Sequence, residues 1–189
     1  MMVLVACEFS SIVRDAFARK GHNAWSCDII PSERGGKHMM CDVREVLDYG
    51  WDLMIGHPPC DHLAVSGARY FAEKRADGRQ QQAIDFFMLL INAPIPMIAV
   101  ENPVGIMSTL YRKPDQIIQP WMFGEDASKK TCLWLKNLPL LTPTDIIIKH
   151  RYANQTPSGQ NKLGPSPTRA MDRSRTYEKI AAAMADRWG

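Results

Sequence analysis

The sequence has no Cys-x-x-Cys pair, no apolar run long enough to cross a bilayer and no Gly-x-Gly turn. Each gap removes a class of protein. The five cysteines, at positions 7, 27, 41, 60 and 132, are odd in number and scattered. This argues against a disulfide framework and a structural zinc site, and fits a reducing compartment. No stretch approaches the ~20 apolar residues of a membrane helix. Met1 to Ala6 is too short for a signal-peptide core before Cys7 and Glu8 interrupt it. The expectation is a cytoplasmic protein without membrane contact. A zinc deaminase needs a second Cys three residues after its Pro-Cys, with His-x-Glu upstream. Leu63 holds that position here and His-x-Glu does not occur, so no metal site is expected. Internal repeats are absent, and the one biased stretch is Asn154 to Thr168, rich in Gly, Pro, Ser and Asn.

What is present fits one domain spanning residues 1–189. The chain is long enough for a real core, and its 46% hydrophobic content is ordinary for a globular protein. A net charge of +3 allows a nucleic-acid partner without demanding one. Lys149, Arg151, Lys162, Arg169, Arg173 and Arg175 make the C-terminal third the more basic part. That surface is either a contact for a polyanion or simply solvated.

Apolar runs bounded by Gly, Pro and acids predict buried strands over Met2–Ala6, Asn23–Cys27, His38–Cys41, Trp51–Ile55, Pro96–Val100 and Lys129–Leu135. Ile146–Ile148 reads as a further short strand. Helical spacing covers Ile12–Lys20, capped by a serine and closed by Gly21, then Gln80–Ile91 and Thr176–Trp188. A short helix is expected through Val43–Leu47, and 114–125 reads as irregular or partly helical. Residues 61–79 read as a long polar loop, suited to a mobile lid. Alternating strands and helices predict an α/β, Rossmann-like, mostly parallel sheet with helices on both faces. Ligands bind such sheets at the carboxyl edge. The strands deliver Glu8, Asp28, Asp42 and Glu101 to that edge, and the Pro58-Pro59 turn presents Cys60 there. Each residue has a plain alternative: a small buried thiol for Cys60, a solvated strand-end acid for Asp28, a helix N-terminal acid for Glu101.

Taken in order, these residues resemble the cytosine-C5 DNA methyltransferase family. Its Phe-x-Gly-x-Gly cofactor motif is similar to Cys7-Glu8-Phe9-Ser10-Ser11, its ribose and adenine acids to Asp28 and Asp42, its Pro-Cys to Pro59-Cys60, and its Glu-Asn-Val to Glu101-Asn102-Pro103. The closing helix from Thr176 is similar to the family's last motif. The resemblance implies S-adenosyl-L-methionine as cofactor and DNA, or a cytosine nucleotide, as partner. Cys60 would be the nucleophile and Glu101 the base-binding acid. The cofactor site would comprise Cys7, Glu8, Phe9, Ser10, Asp28, Ile29, Asp42, Val43 and Pro58. Pro59, Asn102, Lys129 and Lys130 would contact substrate. Several features depart from the family pattern. Ser11 replaces the second glycine, Asp61 stands where the family usually has Gln, and the paired arginines of a later strand are missing, with Lys129 and Lys130 the nearest candidates. Too few residues separate Lys130 from the closing helix for a target-recognition domain. The expectation is a minimal, phage-type enzyme that uses little sequence context or borrows specificity from an accessory protein. Two alternatives stay open: the same thiol chemistry on a free pyrimidine nucleotide, or a degenerate fold that binds DNA or a partner without turnover.

Overall fold

The computed structural model describes residues 1–189 as a seven-stranded sheet flanked by helices. Strand β1 (Met2–Ala6) is followed by helix α1 (Ile12–Arg19), β2 (Asn23–Asp28) and β3 (His38–Met40). Then come β4 (Leu53–Gly56), α2 (Phe71–Ala76), α3 (Arg79–Ile91) and β5 (Met97–Pro103). A short α4 (Met107–Leu110) precedes β6 (Gln116–Ile118) and β7 (Thr131–Lys136), with α5 (Arg169–Ser174) and α6 (Glu178–Trp188) after them. The strand order is β3-β2-β1-β4-β5-β7-β6. The pairs from β3 to β5 are parallel, and β7 runs antiparallel to both of its neighbours. The carboxyl ends of β1 to β5 and the amino end of β7 therefore share one edge. The order reverses between β1 and β4, where open sheets leave a crevice for ligands.

Alternation along each strand divides the core in two. Val3, Val5, Leu53, Ile55 and Leu133 cluster with Phe17 of α1 and Met184 of α6. Leu4, Ala6, Met54, Val100 and Trp134 cluster with Phe87 and Leu90 of α3. With both faces covered, the strands must be apolar throughout, which is why they stand out in the sequence.

Five expectations need correction. The serine cap of α1 is absent: Ser11 takes a left-handed φ of 62° and its hydroxyl meets that of Ser32 at 2.6 Å. Glu8 caps the helix instead, accepting the N–H groups of Val13 at 2.7 Å and Arg14 at 3.2 Å. Residues 61–79 are no plain loop; they form a 3-10 turn over Val65–Tyr70 and then α2, polar enough to lack an apolar period. The strand expected from Trp51 begins at Leu53, while Trp51 is buried and donates its ring N–H to the Val46 carbonyl at 2.7 Å. The span 114–125 contains a strand, β6, too short to give a pattern. Ile146–Ile148 forms no strand, and Ile148 is 88% exposed.

Candidate active site

The pairing of β4 with β5 builds the centre of the site. Ile55 stands opposite Ala99 and Gly56 opposite Val100. One residue further along both chains are His57 and Glu101, and their side chains meet with Nδ1 2.9 Å from Oε2. Their side chains are only 12% and 10% exposed, and the remaining ring nitrogen, Nε2, is buried without a partner. Sequence reasoning missed His57. The available signal was its place as the first residue beyond a buried strand, one strand from Glu8 on one side and one from Glu101 on the other.

Two prolines carry the chain stiffly from His57 to Cys60. Asn102, on the opposite face of β5 from Glu101, is buried and donates its Nδ2 to the Pro58 carbonyl at 3.1 Å. Pro58 is buried, Pro59 exposed and Cys60 partly exposed. The Cys60 carbonyl accepts the N–H groups of Leu63 at 3.0 Å and Ala64 at 2.9 Å. Beyond the turn, Val65 N–H reaches the Val104 carbonyl at 3.1 Å and Ile106 N–H the Leu63 carbonyl at 3.0 Å. Gly105 lies at this crossing, where a Cβ would collide with the Leu63 carbonyl. The chains that follow Cys60 and Glu101 are thus laced together by backbone hydrogen bonds.

The antiparallel run of β7 brings the residues before it to the same edge. Lys129 Nζ lies 3.9 Å from Glu101 Oε1, whereas Lys130 is exposed. Burial alone would keep Glu101 protonated. The Lys129 charge and the His57 hydrogen bond outweigh it and hold the carboxyl down at about 2. For His57 burial disfavours the imidazolium, but the bond to Glu101, its charge and that of Glu8 outweigh burial and raise the pKa. Burial, with a smaller push from Asp61, raises the Cys60 thiol, and Lys129 opposes both. At neutral pH the site therefore holds an ionised carboxylate beside a protonated thiol.

These shifts set a pH window for stability. Glu101 contributes fully above its ordinary 4.5, and this is lost as pH falls toward about 2. His57 contributes fully below its ordinary 6.5, and this is lost as pH rises through its raised value. His57→Asn should therefore lower stability by about 1.5–3 kcal/mol near pH 6, the worth of a charged buried hydrogen bond, and by less at alkaline pH. Urea unfolding at both pH values checks this; an equal loss at both would contradict it.

At the β1 end, Cys7 and Ser11 both have left-handed φ values, 59° and 62°. Ser11 stands where the resemblance expects glycine, so the turn keeps a glycine-like conformation at a strain cost of order 1 kcal/mol. Burial raises the Cys7 thiol, and Glu8, also buried, is raised by burial while engaged with α1. Ser10 donates to Glu8 at 3.3 Å, and the Phe9 ring lies under the Arg175 guanidinium at 5.5 Å. Asp42 is turned onto its own chain, bonding Arg44 through N–H at 2.9 Å and Nη1 at 3.0 Å, and Val43 beside it is buried. Asp28 differs. It is partly exposed at the β2 end, accepts the Ile30 N–H at 3.3 Å through its side chain, and adjoins Ile29, which is 75% exposed. An acid beside an uncovered apolar side chain can take ribose hydroxyls and one face of a purine. That pair, with the orphaned His57 Nε2 nearby in the crevice strand, fits a nucleoside-type cofactor.

Comparison with family models and with curated proteins finds no match. Among solved structures, the chain is similar to one described provisionally as a DNA modification methyltransferase encoded within a prophage of E. coli. The two share 17% identity with a TM-score of 0.54, over 78% of this chain and 52% of that one. The chain thus spans about half the length of that protein. At this identity the likeness establishes the fold alone: a Rossmann-like, mostly parallel α/β sheet shared with that structure.

Proposed function

We propose that the protein transfers a methyl group from S-adenosylmethionine to C5 of cytosine in DNA. The observation that carries this reading is the placing of the Cys60 turn and an ionised, double-braced Glu101 on adjacent strands at the sheet's switch-point edge. C5 of cytosine is too weak a nucleophile to take a methyl group unaided. Once deprotonated, Cys60 adds through Sγ to C6, which breaks the 5,6-double bond and makes C5 enamine-like. The sulfonium of the bound cofactor supplies the electrophilic methyl. As the ring gains electron density, N3 takes up a proton, and Glu101 accepts hydrogen bonds from N3–H and the exocyclic amine. Loss of the C5 proton then expels the Cys60 thiolate and restores the double bond, and one proton leaves for solvent overall. Lys129 is the cation that favours both the thiolate and the carboxylate. In a duplex the base must leave the stack to reach Cys60.

Calorimetric titration of S-adenosylmethionine tests the cofactor half of this reading. Asp28→Ala should weaken binding by about 10- to 100-fold, the worth of one to two charge-assisted hydrogen bonds. Absence of binding to the folded, cofactor-free wild type would contradict it.

A further inference from the structure

We propose that the segment from Lys149 to Arg175 is a basic strap that grips the phosphate backbone of duplex DNA across the mouth of the Cys60 site. This rests on the reading of cytosine in DNA as the substrate. The strap holds six Lys and Arg residues against one acid, Asp172, a balance of +5; since the whole chain carries +3, the remainder carries −2. All of the protein's positive excess therefore resides in this stretch.

The strap is tied down at both ends on the carboxyl edge of the sheet. At its start Tyr152 stacks on Trp121 with ring centroids 6.2 Å apart. Asn154 both accepts from the Ser128 N–H and donates to the Ser128 carbonyl, each at 2.9 Å, next to Lys129. At its end Arg175 covers Phe9, pairs with Glu33, and offers its carbonyl to Lys129 Nζ at 3.5 Å. Between these anchors the chain is mostly exposed and, up to α5, has no helix or strand.

The charges divide by use. Lys149 pairs with Asp126, and Arg175 with Glu33 and Asp172. Arg151, Lys162, Arg169 and Arg173 pair with no acid, and Arg173 is near enough to Cys60 for its charge to act on the thiol. Four unpaired cations within one exposed span, anchored beside Lys129 and Phe9 and bringing Arg173 toward Cys60, match a polyanion that delivers a base to the site. Guanidinium and ammonium groups on an irregular loop read phosphates, not base edges, so the grip should carry affinity with little sequence preference.

The test uses the full chain with S-adenosylmethionine and a cytosine-containing duplex of roughly 20 base pairs, titrated with salt. Replacing Arg151, Lys162, Arg169 and Arg173 together by Gln should flatten the log–log salt slope by about 0.9 per lost phosphate contact and weaken binding at least about tenfold at ~0.1 M salt. Cofactor affinity and melting temperature should be unchanged, and the set with Lys at all four positions should keep the wild-type slope. An unchanged slope in the Gln set, with wild-type DNA binding and methylation intact, would overturn the strap and leave the substrate reading standing. Failure of the wild type to bind duplex while it methylates free deoxycytidine monophosphate would overturn that reading and the strap with it. Tighter binding of single-stranded RNA than of duplex would overturn the assigned partner.

Discussion

Replacing Cys60 with alanine is expected to lower methyl transfer at least about 10⁴-fold while leaving cofactor affinity unchanged. Without the thiolate, C6 gains no substituent and C5 stays part of an aromatic ring, so positioning alone cannot make it attack the methyl. The structural cost should be small. Cys60 is partly exposed, and the turn that holds it depends on its carbonyl and on Asn102, not on its sulfur. A loss of under about 1 kcal/mol is expected from such a change. Initial rates of tritiated-methyl incorporation, with calorimetry and thermal melting on the same preparation, separate the two effects. Transfer retained in the alanine variant would make Cys60 a packed thiol at a strand end and move the chemistry elsewhere.

Glu101→Gln is expected to lower the rate by about 10²–10³-fold, corresponding to roughly 2.7–4 kcal/mol of lost transition-state stabilisation. A carboxamide keeps the shape and can still accept from His57 Nδ1. It cannot, however, accept from both N3–H and the exocyclic amine, and it no longer balances the positive charge that develops on the base. The effect should therefore fall mainly on kcat. Because Glu101 also supports the His57 imidazolium, the variant should lose the extra stability that the wild type shows on the acid side of neutrality. A fall in stability without a fall in kcat would reduce Glu101 to a partner for buried charge.

Much of this site was legible before the fold was known, because a sheet covered on both faces writes its strands as unbroken apolar runs. Met2–Ala6, Asn23–Cys27 and Trp51–Ile55 stand out for that reason, and their ends mark Glu8, Asp28 and Cys60. The relation between residues on different strands was not legible. His57 and Glu101 are 44 positions apart, and only the β4–β5 register sets them side by side. The role of Glu8 was hidden for a similar reason: its carboxylate reaches forward to the first turn of α1, a contact that a serine at position 11 would ordinarily make. Short or solvated elements failed in both directions. The three residues of β6 were too few to show alternation, while Ile146–Ile148 carries the composition of a strand but meets its neighbour through one backbone bond, Ile147 N–H to the Trp121 carbonyl at 2.9 Å, which falls short of a ladder. The polar stretch 61–79 folds as helical turns tied to the chain after Cys60 where Lys74 donates to the Asp61 carbonyl at 2.5 Å and Gln80 to that of His62 at 3.1 Å, contacts with no periodic signature.

The most direct test of the central claim is the intact mass of the protein after incubation with S-adenosylmethionine and a duplex carrying 5-fluorocytosine. Fluorine at C5 cannot leave as a cation, so the adduct formed by Cys60 cannot break down once the methyl has transferred. The expected result is a species heavier by one oligonucleotide strand and one methyl group, formed only with cofactor present and mapped to Cys60 by peptide digestion. Unmodified protein that nonetheless methylates ordinary cytosine in the same duplex would contradict the covalent mechanism.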